Sequence, residues 1–132
     1  MRIVFDTESV LKYFLGESGA SEVKSYFEGC REGENEGFMS LVNLTEFYYI
    51  LCRESRDLAE EKVTSLLGFE VKMAGIEEGE IWKRAAEIKA EKAIPLADSY
   101  AAATAKALDA KLVSGHNKHF QNLDLDLIEV VG

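Results

Sequence analysis

Short apolar runs alternate with segments of helical periodicity along the whole chain, and this alternation limits the fold more than any other feature. Five runs have the length and composition of strands: residues 2–5, 37–40, 69–74, 111–114 and 127–131. Parallel strands need crossover connections, which are usually helices, so strands separated by helices favour a mainly parallel sheet. The alternation therefore predicts an α/β fold, a three-layer α/β/α sandwich with a central, mainly parallel sheet.

The connecting segments have the apolar spacing of helices. They occupy residues 9–16, 21–30, 41–54, 58–67, 77–93 and 96–110. In the fifth of them, Ile81, Trp82, Ala85 and Ile88 form an apolar stripe, so Trp82 is expected to fill the core. Residues 29–37, "GCREGENEG", combine glycines with charges and are predicted to form a surface loop.

Composition and charge narrow the class of protein. The 132 residues, 47% apolar and 30% charged, fit one globular domain. The net charge of −9 argues against a protein that coats nucleic acid non-specifically, although it is compatible with a nuclease that has an acidic centre. The sequence shows neither a membrane-length apolar run nor a secretory signal, and its two cysteines lie in no metal-binding or redox spacing. These features predict a cytoplasmic protein with reduced thiols.

Three acids follow predicted strands or begin predicted helices. Asp6 directly follows the first strand, Glu46 lies early in the helix after residues 37–40, and Asp98 lies in the first turn after Pro95. In open parallel sheets, ligands bind beyond the carboxyl ends of the strands, where the strand order reverses. We therefore expect the three acids to converge on one edge of the sheet.

Each acid also has a purely structural interpretation. Asp6 could cap the following helix, Glu46 could close a capping box with Asn43, and Asp98 could answer a helix dipole. Two observations favour a joint role. Glu46 interrupts the otherwise apolar "LVNLTEFYYIL", and Asp98 is the only acid in a small, apolar helix start.

Four stretches resemble the PIN-domain family, especially its VapC-type toxin branch. They are "IVFDTESVLKYFLGE", "SLVNLTEFYYIL", "PLADSYAAATAKALDAKLVSG" and the later "HF", which together cover nearly the whole chain in the family's order. The resemblance implies a single PIN-like domain over residues 1–132. It also implies that Asp6, Glu46 and Asp98 are the catalytic, metal-binding acids.

The resemblance extends to the residues after the fourth strand, with one departure. Ser114 stands where the family often has a threonine hydroxyl. The family often has a fourth acid two residues later, but here that position is His116, followed by Asn117. Ser114, His116 and Asn117 are therefore auxiliary candidates. His116 and His119 are either peripheral ligands, substrate contacts or plain loop residues.

The chemistry expected of such a site is hydrolysis. Clustered carboxylates need a cation, and oxygen ligands favour Mg²⁺ or Mn²⁺, which can orient a phosphodiester and activate water. The resemblance then implies a metal-dependent endoribonuclease, the toxin of a VapBC-type toxin–antitoxin pair. It implies an RNA substrate, a small antitoxin partner and a homodimer. The helix around Phe47, Tyr48, Tyr49 and Leu51 is apolar around most of its circumference. Either part of it, with the helix from Leu58 onward, is covered by a twofold partner or an antitoxin segment, or the helix is wedged deep in the monomer.

Two other functions stay open on the sequence. The missing fourth acid would suit a catalytically impaired PIN-like scaffold that binds RNA or protein. The start "DTESV" also resembles that of haloacid-dehalogenase-like phosphatases, although Glu8 stands where their second Asp belongs.

Overall fold

The structure, a computed structural model, describes residues 1–130 except for the side chain of Asn117. The strands are β1 (Arg2–Phe5), β2 (Glu36–Ser40), β3 (Lys72–Ala74), β4 (Lys111–Ser114) and β5 (Leu127–Glu129). The helices are α1 (Thr7–Phe14), α2 (Ala20–Arg31), α3 (Leu41–Cys52), α4 (Arg56–Gly68), α5 (Ile81–Glu91) and α6 (Leu96–Ala107). Short 3-10 turns cover Glu78–Glu80 and Asn117–His119. The auxiliary role predicted for Asn117 lies outside the described residues.

The five strands form one parallel sheet in the order β3-β2-β1-β4-β5. Phe5 at the end of β1 lies opposite Val113 of β4, so the residues that follow the two strands are neighbours. After β1, the chain adds β2 and then β3 on one side of β1 in the sheet, and later adds β4 and β5 on the other side of β1. The strand order therefore reverses at β1, which places a topological switch point at the carboxyl ends of β1 and β4.

Both faces of the sheet are covered, which confirms the predicted three-layer α/β/α sandwich. Ile3 and Phe5 lie on one face of the sheet and pack into a core shared with α1 to α4. Val4, which lies between them in sequence, is on the opposite face and packs against α6. Side chains alternate across a strand, so a strand that is buried on both faces is apolar at successive positions. This is why "IVF" is an uninterrupted apolar run.

Trp82 does not fill the core, contrary to the sequence prediction. Its side chain is 51% exposed, while Ile81 and Ala85 are buried. In α5 the buried face follows Ile81, Ala85 and Ile88, at intervals of four and three residues, and Trp82 is turned away from it by about 100°.

Two boundaries also differ from the prediction. Most of residues 29–37 is ordered secondary structure, because α2 continues to Arg31 and β2 begins at Glu36. The predicted strand 69–74 is reduced to Lys72–Ala74, since Phe69 caps α4 and Glu70 has a positive φ of 65°. Within residues 1–130, no helix is both long and apolar enough to cross a membrane.

Candidate active site

Asp6 is the buried centre of the candidate site. It is the N-cap of α1, and its Oδ1 accepts a hydrogen bond from the Ser9 backbone N–H at 2.8 Å. The same oxygen accepts from the Gly115 N–H at 3.3 Å, and Oδ2 accepts from Ser114 Oγ at 2.7 Å. The predicted helix cap is therefore confirmed. The bonds from the end of β4 go beyond what a cap needs, and they tie Asp6 to the switch point.

The electrostatics of Asp6 are those of a buried acid without a counterion. The side chain is 1% exposed, and burial raises its pKa to about 6 from 3.8, against the lowering effect of the hydrogen bonds from Ser114, Ser9 and Gly115. In the described part of the chain, none of the ion pairs involves Asp6. A bound cation would neutralise this buried carboxylate.

Gly115 fits where a side chain would not. A Cβ at this position would lie 2.9 Å from the backbone carbonyl carbon of Glu8 in α1. The close approach of β4's end to the first turn of α1 is what brings the Gly115 N–H and the Ser114 hydroxyl to Asp6. Ser114, an auxiliary candidate from the sequence, therefore contacts a candidate metal ligand directly.

Asn43 joins the segments that carry two of the acids, a role that the sequence prediction missed. It is not an N-cap, because α3 is capped by Ser40, whose Oγ accepts from the Val42 N–H at 3.1 Å. The capping box of Asn43 and Glu46 is thus wrong. The Asn43 amide instead donates to Thr7 Oγ1 and to the Ala97 carbonyl oxygen, both at 3.1 Å.

Asp98 lies in the first turn of α6, as predicted, at the positive end of the helix dipole. Its Oδ2 is hydrogen-bonded to Nδ1 of His119. The side chain of Asp98 is 17% exposed and that of His119 is 28% exposed. The His119 ring also packs edge-on against His116, with centroids 4.7 Å apart. His119 is therefore more than a plain loop residue, since its side chain contacts a candidate acid.

Glu46 lies in the second turn of α3 and is partly buried. It borders a cavity of about 320 Å³ whose wall includes Ala97, the residue before Asp98. The rest of the wall consists of Val42, Thr45, Tyr49 and Leu96. The structure thus places Glu46 beside the start of α6, near the segment of Asp98.

The three acids lie on adjoining segments, but they do not form a ready-made metal cluster. Among residues 1–130, no group of three His, Cys, Asp or Glu side chains is arranged to hold a metal ion. Each acid occupies its own set of contacts: Asp6 with Ser114, Asp98 with His119, and Glu46 at the cavity. The three-acid metal site stays a prediction.

The donor set nevertheless suits a hard divalent cation. Asp6 is a buried carboxylate without a counterion, and Oδ1 of Asn43 is a buried acceptor that has no hydrogen-bond partner within the described residues. Carboxylate and amide oxygens are the ligands that Mg²⁺ and Mn²⁺ prefer. A larger cavity, of about 780 Å³, lies at the amino ends of β1 to β3 around Arg2, Glu36 and Lys72, and none of the three acids lines it.

Comparison with known proteins identifies a sequence family and a fold. The model of the PIN domain family matches residues 3–125. No curated protein matches the sequence.

Solved structures cover the chain almost from end to end. The structure of VapBC2 from Rickettsia felis, bound to a promoter DNA fragment, matches with a TM-score of 0.77 and 18% identity over 98% of both chains. A toxin–antitoxin complex from Klebsiella pneumoniae matches with a TM-score of 0.72 and 18% identity, over 96% of this chain and 95% of that one. FitAcB from Neisseria gonorrhoeae gives a TM-score of 0.70 and 19% identity over 96% of both. At these identities, the likeness shows a shared fold.

Proposed function

Because the chain belongs to the PIN domain family, we propose that it is a metal-dependent endoribonuclease that hydrolyses RNA phosphodiester bonds. One observation carries the proposal: the buried carboxylate of Asp6 lies at the switch point of the sheet with hydrogen-bond donors around it, and none of the ion pairs of the described residues involves it. The family match over residues 3–125 favours this function over the phosphatase interpretation of "DTESV".

We propose a role for each residue of the candidate site. Asp6 and Asp98 hold the cation, and Glu46, at the edge of its cavity, is either a third ligand or the group that orients the attacking water. Ser114 and Gly115 hold the Asp6 carboxylate in one orientation by binding both of its oxygens. A bound Mg²⁺ or Mn²⁺ would supply electrostatic stabilisation of the phosphate and a more acidic water. His116, which is exposed, replaces the usual fourth acid, so we propose a single well-held cation.

The proposed biological role is that of a toxin restrained by a small antitoxin. It is supported by the near-complete coverage of chains from VapBC and other toxin–antitoxin complexes. We propose further that residues 1–132 act as one PIN-like domain, because the first and last strands belong to one sheet. We also propose a cytoplasmic location, by analogy with the toxin–antitoxin complexes that share the fold.

The surface for a homodimer is smaller than the sequence suggested. Phe47 and Leu51 of α3 are buried in the core, and Tyr48 donates a hydrogen bond to Glu60 of α4 at 2.8 Å. The exposed apolar residue that remains on this helix beyond its first turn is Tyr49, at 45% exposure. Light scattering at micromolar concentrations tests the homodimer, and a monomeric mass there would contradict it.

RNA cleavage in Mg²⁺ or Mn²⁺, compared with cleavage in EDTA, tests the proposed activity. Loss of a metal ligand removes several kcal/mol of transition-state stabilisation, so Asp6→Asn and Asp98→Asn should each reduce cleavage at least about 100-fold. Asp57→Asn is the matched control, since Asp57 is an exposed acid in the first turn of α4. Parental activity in both site variants would refute the assignment.

The impaired scaffold is the second candidate function. It is favoured by the histidine at the position of the fourth acid and by the absence of a formed three-acid cluster within residues 1–130. RNA binding by the parent protein without any cleavage in either metal would favour the scaffold. Metal-dependent cleavage that is lost in Asp6→Asn would exclude it.

A further inference from the structure

We propose that Asn43 is the positioning residue of the candidate site and that its side-chain amide sets the separation between Asp6 and Asp98. The inference rests on the proposed function only in taking these two acids as ligands of one divalent cation. Asn43 itself is assigned no contact with substrate.

The hydrogen bonds of Asn43 reach both acidic segments. Its Nδ2 donates to Oγ1 of Thr7, the residue after Asp6, and to the carbonyl oxygen of Ala97, the residue before Asp98, both at 3.1 Å. The Thr7 hydroxyl in turn donates to the backbone carbonyl oxygen of Asn43 at 3.3 Å. One side chain therefore joins three segments that are 36 and 54 residues apart along the chain.

Burial makes these bonds strong constraints. Asn43 is 0% exposed and Thr7 is 3% exposed. If one of these hydrogen bonds is lost, water can replace it only after the surrounding structure rearranges. Both protons of the Asn43 amide are committed to the two segments. Its Oδ1 has no hydrogen-bond partner within the described residues.

The role proposed for Asn43 is more than structural, because the two segments that it joins carry Asp6 and Asp98. Mg²⁺ and Mn²⁺ bind carboxylates at about 2.0–2.2 Å, so two carboxylates can share one ion only within a narrow range of separations. A change in the spacing between Thr7 and Ala97 moves both ligands relative to each other. Residues that orient metal ligands commonly affect metal affinity by about 10- to 100-fold.

The test is Mn²⁺ binding to the full chain, measured by the electron paramagnetic resonance signal of free Mn²⁺. Asn43→Leu keeps much of the shape of the side chain and removes both donated bonds. We expect it to lower Mn²⁺ affinity about tenfold or more, while circular dichroism shows an intact fold.

Thr104→Val is the matched control for the loss of a buried polar group. Thr104 is also 0% exposed, and its Oγ1 donates to Tyr100 O at 2.7 Å within α6, so it links no separate segments. Its Mn²⁺ affinity should stay within about twofold of the parent, because no ligand is repositioned. A folded Asn43→Leu protein with parental Mn²⁺ affinity would overturn the proposal.

A second variant covers the case in which Asn43→Leu does not fold. Thr7→Val removes one of the two partners and leaves the bond to Ala97, so a smaller loss of Mn²⁺ affinity is expected. Parental affinity in Thr7→Val would then overturn the proposal. Failure of the proposed function looks different: the parent binds Mn²⁺ and Asn43→Leu weakens it, yet no RNA is cleaved.

Discussion

Replacing Asp6 by Asn should stabilise the metal-free protein at neutral pH, although it removes a proposed metal ligand. The reason is the buried charge. In the folded state the pKa of Asp6 is raised to about 6, whereas the unfolded chain titrates near the ordinary value of 3.8. The folded protein therefore holds the proton more tightly than the unfolded chain between these two pH values.

The sign and size of the effect follow from this difference. The contribution of a protonated Asp6 to stability is fully present below about pH 3.8, declines as the pH rises and is lost above about pH 6. Above pH 6 the buried charge lowers the free energy of unfolding by about 3 kcal/mol relative to the neutral acid.

Asparagine keeps most of the local hydrogen bonding. Its Oδ1 can still accept from the Ser9 and Gly115 N–H groups, and Ser114 can turn its hydroxyl to accept from the new amide. The stronger bonds to the charged carboxylate are already included in the net rise of the pKa, so asparagine is expected to behave like the neutral acid. The expected stabilisation is about 3 kcal/mol at pH 8 and about 0.5 kcal/mol at pH 4.

Urea unfolding in EDTA at several values between pH 4 and pH 8 measures this difference. Asp57→Asn, which removes an exposed acid and keeps Asp6, should follow the pH dependence of the parent. Addition of Mg²⁺ at pH 8 should reverse the order, because only the parent gains stability from the bound ion. Equal stability of the parent and Asp6→Asn at pH 8 in EDTA would refute the reasoning about burial.

Three further predictions concern the surroundings of the site and the thiols. Gly115→Ala should destabilise the fold by about 1–3 kcal/mol in thermal unfolding, because its Cβ would meet a backbone carbon 2.9 Å away. Ser114→Ala should raise the pKa of Asp6 further, as followed by carboxyl NMR, because it removes the largest lowering contribution. Cys30 should be alkylated much more slowly than the half-buried Cys52 at pH 8, because burial raises its thiol pKa to about 11; equal rates would contradict this.

The fold could be predicted from the sequence because its strongest signals are local. The run "IVF" is apolar at successive positions, as required of a central strand that is buried on both faces, and Asp6 directly after it lies at the switch point. Trp82 shows the limit of such signals. It lies next to a true core position in sequence but on a different side of α5.

The connections within the site could not be read from the sequence, because they join distant residues. The Asn43 amide binds Ala97, and His119 binds Asp98, and no local pattern encodes either pairing. The segment "SLVNLTE" offers two good N-cap residues, Ser40 and Asn43, and propensity alone does not choose between them. Packing against Thr7 and Ala97 decides that Asn43 lies inside α3.

The parallel pairing of β1 with β4 has a consequence for the synthesis of the protein. Asp6 leaves the ribosome before Ser114, whose hydroxyl binds it and lies 108 positions later along the chain. At about 5–20 residues per second, roughly 5 to 20 seconds separate the two. Until β4 is synthesised, β1 is an apolar edge strand. Asp6, which follows β1, then has its hydrogen bond from Ser9 but lacks those from Ser114 and Gly115. A nascent or truncated chain that ends before β4 therefore carries Asp6 without the hydrogen-bond donors of Ser114 and Gly115.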